Sequence, residues 1–323
     1  MARKKREEVA PGILRIATRP SDVELRRARL VQARLEALGV KSVLVECKTA
    51  GDRHKENDIA AAAQRGFFTH ELETALLKKR ADLAVHAIPD LPTDRSPGLV
   101  VAAILTRDDP RDALVVNALH EATNPSELPR GTRIGSSNQR VRSLLRAQFR
   151  EMEVAHLRGD LPTRLQKVDT GQVHATIVPA SSLNLIEASQ HIAGYLDPPD
   201  WLPAPGQGAI AVQCREDDAA TREIVTRLDD PNTRRDVRAE RAVLASLEGG
   251  LQSPVGALVV GDVLHAVIAD DRGVRVLRAS RNIGDADPEL VGVRVANDLR
   301  AKGASPILDE LRRAERIPAP QPD

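Results

Sequence analysis

The chain is short of aromatic residues, and this limits how it can build a core. One Trp, one Tyr and three Phe among 323 residues leave Leu, Val, Ile and Ala to fill the interior. Cysteine is scarcer still: Cys47 and Cys214 allow no disulfide framework and fit a reducing compartment, so a cytoplasmic protein is expected. No run of about 20 apolar residues is present to span a bilayer. The basic stretch from Met1 to Val9 also lacks the apolar centre of a secretory signal, so no membrane partner is expected. An excess of one charge is absent too. The 47 Lys and Arg against 46 Asp and Glu give a net charge of +1, which excludes nucleic-acid binding by bulk electrostatics. His54 and His70 have no second histidine or cysteine at ligand spacing, so no metal is expected. Gly206-Gln207-Gly208 is followed by no Gly-Lys-Ser/Thr, so it reads as a tight crossing between domains rather than a phosphate loop.

What is present is arginine and an alternating pattern. Only nine of the 47 basic residues are lysine. The guanidinium fork suits paired contacts with carboxylates, although a GC-rich coding sequence produces the same skew. Short β-type runs at 14–18, 42–48, 82–87 and 99–105 alternate with helical periodicity at 22–38 and 70–80. Ser21 or Asp22 is placed to cap the first helix, and Gly39 to close it. Residues 108–112 read as a hinge. Beyond it, a strand at 133–134, a helix opening at Ser136 or Ser137, and strands at 153–157 and 174–179 form a second α/β unit. The strand at 209–214 returns toward the first. A last unit has a helix at 234–245, strands at 255–260, 263–269 and 274–280, and a closing helix at 288–302. His86 reads as a hydrogen-bonded strand residue. This order predicts an α/β protein of three domains. Their expected limits are 12–108 with 208–228, then 109–207, then 229–316, with flexible tails at 1–11 and 317–323.

Several motifs run in one order along nearly the whole chain. Leu14-Arg15-Ile16-Ala17-Thr18-Arg19-Pro20-Ser21 opens the series. Phe68-Thr69-His70-Glu71-Leu72-Glu73 and Ala81-Asp82-Leu83-Ala84-Val85-His86 precede Asp90. Arg107-Asp108-Asp109-Pro110-Arg111-Asp112-Ala113 follows, then Leu157-Arg158-Gly159-Asp160 with Thr163-Arg164-Leu165. Pro203-Ala204-Pro205-Gly206-Gln207-Gly208-Ala209 and Gln213-Cys214-Arg215 come next. Glu248-Gly249-Gly250-Leu251-Gln252-Ser253-Pro254-Val255-Gly256 completes the set. Taken together these resemble the porphobilinogen deaminase (hydroxymethylbilane synthase) family of tetrapyrrole biosynthesis.

The resemblance implies a first pair of domains like a type-II periplasmic-binding-protein pair around a cleft, and a small α+β third domain with an antiparallel sheet. It implies that porphobilinogen is polymerised to hydroxymethylbilane with release of ammonia, on a dipyrromethane cofactor. Asp90 takes the place of the catalytic aspartate. Arg19, Ser21, Arg65, Ser136, Ser137, Arg140, Arg158 and Arg164 fall where the family binds acetate and propionate groups. Leu251 stands where the family carries the cysteine that tethers the cofactor, and leucine forms no thioether, so covalent attachment is not expected. Further cations of the family pattern are missing near Pro89, in Asn138-Gln139-Arg140, near Ala61 and near Gln190 and His191. A monomer with reduced or absent standard activity is therefore expected, taking a small pyrrole or polycarboxylate ligand. A catalytically impaired paralogue and, less favoured, an unrelated solute-binding module are the alternatives.

Overall fold

A computed structural model of the protein describes residues 12–53, 66–94, 96–247 and 253–315. The expected tails at 1–11 and 317–323 lie outside these. The first sheet begins with β1 (Leu14–Thr18), whose Ile16, Ala17 and Thr18 are buried. From it α1 (Asp22–Ala37) crosses to the parallel strand β2 (Ser42–Glu46). Ala28, Val31 and Leu35 recur at helical spacing and form the buried stripe of α1. Ser21 occupies the N-cap position, but its hydroxyl makes no capping bond; Asp22 and Glu24 supply the negative charge in the first turn. Gly39, at φ +77°, adopts the left-handed conformation that ends the helix. The short α2 (Ala50–Arg53), then α3 (His70–Leu77), β3 (Leu83–Ala87), a 3-10 turn over Ile88–Asp90, and β4 (Leu99–Ile104) follow.

The second sheet is built from β5 (Asp112–Val116), β6 (Arg133–Gly135), β7 (Glu153–Ala155), β8 (Ala175–Pro179) and β9 (Gly194–Leu196). Its helices are α4 (Gln139–Gln148), α5 (Leu161–Asp169) and α6 (Ala180–Leu185). The strand β10 (Ile210–Arg215) then returns to the first sheet, antiparallel to β3 and β4. The two sheets share one topology: β2-β1-β3-β10-β4 and β7-β6-β8-β5-β9, each with its fourth strand antiparallel to its third. This is the paired α/β architecture expected, with a cleft at the carboxyl ends of the parallel strands.

After α7 (Ala219–Thr226), the third unit packs α8 (Pro231–Ser246), α9 (Pro288–Ala301) and α10 (Ala304–Glu315) with the antiparallel sheet β11 (Val255–Val260), β12 (Val263–Ala269), β13 (Val276–Asn282). Several boundaries differ from the sequence reading. β5 starts at Asp112, inside the expected hinge. α4 starts at Gln139 because Asn138, not a serine, accepts from the Val141 N–H at 3.2 Å. β13 begins two residues late because Asp270 ties down the Val274 N–H at 2.8 Å. The helices α2, α5, α6, α7 and α10 fall outside the sequence expectations.

Two buried carboxylates join the units. Glu240 on α8 is fully buried and accepts from Arg107 at 2.6 and 3.0 Å, from Gly206 N at 2.7 Å and from Val259 N at 3.0 Å. Asp112 accepts from Arg140 and Trp201 Nε1, both at 2.7 Å, and from Gln207 at 2.9 Å. The Gly206-Gln207-Gly208 crossing needs its glycines: a Cβ on Gly206 would lie 2.0 Å from Ile88, and one on Gly208 2.6 Å from the Asp108 carbonyl.

Candidate active site

A cavity of about 1520 Å³ separates the first two units and is lined from both sides. That exceeds the roughly 300–1,000 Å³ of a site for a single small ligand. On the first wall, the apolar run of β3 ends in the 3-10 turn, which carries Asp90 to the cleft; Arg19 sits just past the end of β1. Arg19 donates to Asp52 at 2.7 and 3.2 Å, and reaches Asp90 at 3.5 Å and Glu24 at 3.9 Å. Its guanidinium carbon lies 4.1 Å from the centre of the Phe68 ring. Glu24 also pairs with Arg27 one turn along α1. Ser21 lines the cavity at the mouth of this helix.

Three carboxylates and two guanidiniums thus share one wall, and the protonation states adjust. Burial pushes the Asp90 carboxyl up to about 6; Arg19 opposes this and Glu24 adds to it. Burial also works against Asp52 ionising, but Arg19 and the bonds from Thr49 outweigh it and lower its pKa. Glu24, penalised by burial, is held down by Arg27 and Arg19. Behind the wall, burial drives His86 down to about 4; its Nε2 lies 3.2 Å from Gln213 Oε1. The strand-residue reading of His86 agrees with this geometry.

The opposite wall is cationic. Arg158 follows β7 and Arg164 lies in α5; each has a buried Nε with no hydrogen-bond partner. Among the described residues neither has a carboxylate within ion-pair distance. Burial lowers the pKa of Arg164, only partly offset by Asp160. Asp160 is the N-cap of α5, accepting from Thr163 N at 3.0 Å, which explains an acid beside this cluster. Lys167 reaches the Arg158 carbonyl at 3.0 Å. His156 also lines the cavity; burial, then Arg158, Arg142 and Lys167, lower its pKa. Ser136 and Ser137 line the cavity ahead of α4.

The structure therefore brings Asp90, Arg19, Ser21, Ser136, Ser137, Arg158 and Arg164 to one cavity. Arg140 borders it as well, but its side chain is 2% exposed and its Nη1 donates to Asp112 and to the Leu202 carbonyl at 2.9 Å. Arg65 and Leu251 lie outside the described residues. Sequence reading missed Asp52, Glu24 and Arg27. Asp52 carried a usable signal, since it follows a glycine just past the carboxyl end of β2, where α/β sheets place ligands. Among the described residues no cluster of His, Cys, Asp or Glu could hold a metal ion, and no helix is long and apolar enough to cross a membrane.

Residues 14–223 match the family model described as porphobilinogen deaminase, dipyromethane cofactor binding domain, and residues 235–301 match its C-terminal domain. The chain belongs to the porphobilinogen deaminase family. The porphobilinogen deaminase of Syntrophobacter fumaroxidans is 39% identical over 308 residues, covering 94% of this chain and 99% of that protein. That of Gloeobacter violaceus is 39% identical over 305 residues, covering 92% and 93%. Among solved structures, the methionine-binding protein MetQ aligns with 68% of this chain and 90% of its own, at 14% identity and a TM-score of 0.43. The dipyrromethane-binding domain of the family thus spans both walls of the cleft. The orphaned Nε atoms of Arg158 and Arg164 fit the carboxylates of such a group.

Proposed function

We propose that the cleft binds porphobilinogen and short chains built from it, and that polymerisation is reduced or absent because no covalent anchor is available. The observation that supports this best is the pairing of two uncommitted guanidiniums, Arg158 and Arg164, with a carboxyl group across the cleft that is poised near pH 6. The guanidiniums take acetate and propionate groups through paired N–H donors, with Ser136 and Ser137 adding hydroxyl contacts. This fixes the pyrrole ring over Asp90, whose carboxylate accepts the ring N–H. When the aminomethyl C–N bond breaks, its electron pair leaves on ammonia and Asp90 stabilises the positive charge left on the ring. A pKa near neutrality also suits Asp90 to proton exchange with the departing nitrogen. A bound dipyrromethane supplies the pyrrole carbon that is extended, and the same arginines and serines would hold its carboxylates.

Anchoring is where this chain departs from the pattern that the family resemblance implies. Leu251 offers no nucleophile. Cys214 is fully buried in β10, and burial pushes its thiol up to about 11; burial raises that of Cys47 as well, so neither supplies a ready thiolate. An active synthase that holds its primer noncovalently is the competing reading, and one experiment separates the two. Intact-mass measurement should return the bare polypeptide, and incubation with porphobilinogen should give no bilane detectable with Ehrlich's reagent. A mass increment of two pyrroles on Cys47 or Cys214, or steady turnover without one, would overturn the proposal. Leu251→Cys alone should restore little activity, because the missing cations remain missing.

A further inference from the structure

Asp90 is held from two sides, and only one of them is the cleft. On the cleft side stand Arg19 after β1, Glu24 and Arg27 on α1, and Asp52 on α2. Behind the turn stands Arg241, on α8 of the third unit. Its Nη1 donates to the carbonyls of Ile88 and Leu91, both at 3.1 Å, and its Nη2 to that of Pro92 at 2.6 Å. These carbonyls bracket Asp90 in sequence. The turn has few other braces, because Pro89 and Pro92 lack backbone N–H groups. Ile88 N reaches Ala209 O at 3.1 Å, and Leu91 N closes the turn onto Ile88 O at 3.1 Å.

Arg241 also lacks what a desolvated arginine usually has. Among the described residues no carboxylate lies within ion-pair distance of it, and burial alone draws its pKa down to about 10. A guanidinium taken from water without a counter-ion is destabilising unless its donors are satisfied. Here its Nη donors are spent on the carbonyl rim of one short turn. We infer that Arg241 is a positioning residue: by clamping the carbonyls of Ile88, Leu91 and Pro92 it fixes the direction in which the Asp90 carboxylate enters the cleft.

This role rests on Asp90 being the reacting carboxylate, and the test keeps the two ideas apart. The Asp90 side-chain carboxyl is followed by carbon-13 NMR titration in the full-length protein, free of ligand. Wild type should titrate near pH 6. In Arg241→Gln the loosened turn admits water, and the midpoint should fall by about one unit toward the ordinary carboxylate range. Arg241→Lys, which retains a charge and donors, should lie between. Val243→Ala, a cavity in the third-unit core with no bond to the turn, should lower thermal stability yet leave the midpoint in place. An unmoved midpoint in Arg241→Gln, or in Arg241→Lys should the first not fold, reduces Arg241 to a structural contact and sinks the inference. Calorimetry with porphobilinogen on the wild type judges the functional reading separately: absence of binding removes that reading, while the titration still decides what Arg241 does.

Discussion

On the first wall of the cleft Arg19 is surrounded by Asp52, Asp90 and Glu24, whereas across it Arg158 and Arg164 meet no carboxylate within ion-pair distance among the described residues. The same side-chain type therefore plays opposite parts on the two walls. Arg19 is neutralised from within and shapes the proton affinity of its neighbours. Arg158 and Arg164 meet no such partner among the described residues, and Asp160 offsets only part of the burial of Arg164. Arg140 belongs to neither group, since it is sealed against Asp112 at the junction of the units. What separates a committed arginine from an uncommitted one here is the number of carboxylates the fold has already set beside it, and position in a motif does not report that number.

Three experiments can break or sharpen this contrast. Asp112→Ala should have the largest effect, because it strands the Arg140 charge in the interior. Removing one partner of a buried pair costs about 3–5 kcal/mol, readable as a lowered urea midpoint, and a loss below about 1 kcal/mol would return Arg140 to the solvent-facing class. Next comes the double variant Arg158→Gln/Arg164→Gln. Charge-assisted bonds contribute about 1.5–3 kcal/mol each, so calorimetry should show porphobilinogen affinity falling about 100-fold or more. Arg19→Gln should weaken it by less than about tenfold, and equal losses in the two would erase the distinction between the walls. The smallest effect concerns His86. An unfolded histidine takes up its proton below about pH 6.5, whereas His86 in the fold resists protonation until about pH 4. Stability should accordingly fall as pH drops through that window. His86→Gln should flatten that part of a stability curve measured by chemical denaturation, and an unchanged slope would show that His86 is not the group responsible.

Much of this could be read from the chain before its structure. The apolar periods placed α1, α3, α4, α8 and α9 and most strands, because each buries one face against a sheet. Most of the helices that escaped notice are short: α5, α6 and α7 run nine, six and eight residues. α5 opens with Leu161-Pro162 behind an Asp cap, and α7 buries only Thr221 and Val225. The motifs placed Asp90, Arg158 and Arg164 at one cleft. They could not report that Arg19 meets Asp52 from 33 positions away and Asp90 from 71, since those pairings arise only when β2 and β3 flank β1. Nor could they reveal that Arg140 turns inward, because its partner Asp112 lay within the stretch read as a hinge.

Trp201 is the chain's only tryptophan, and its indole N–H ends on the same Asp112 oxygen as Arg140. A single indole thus sits on the buried carboxylate that also holds Arg140 and Gln207 at the junction of the units. Any change that disturbs that oxygen should alter the tryptophan emission, so the state of this junction can be followed in solution without attaching a dye.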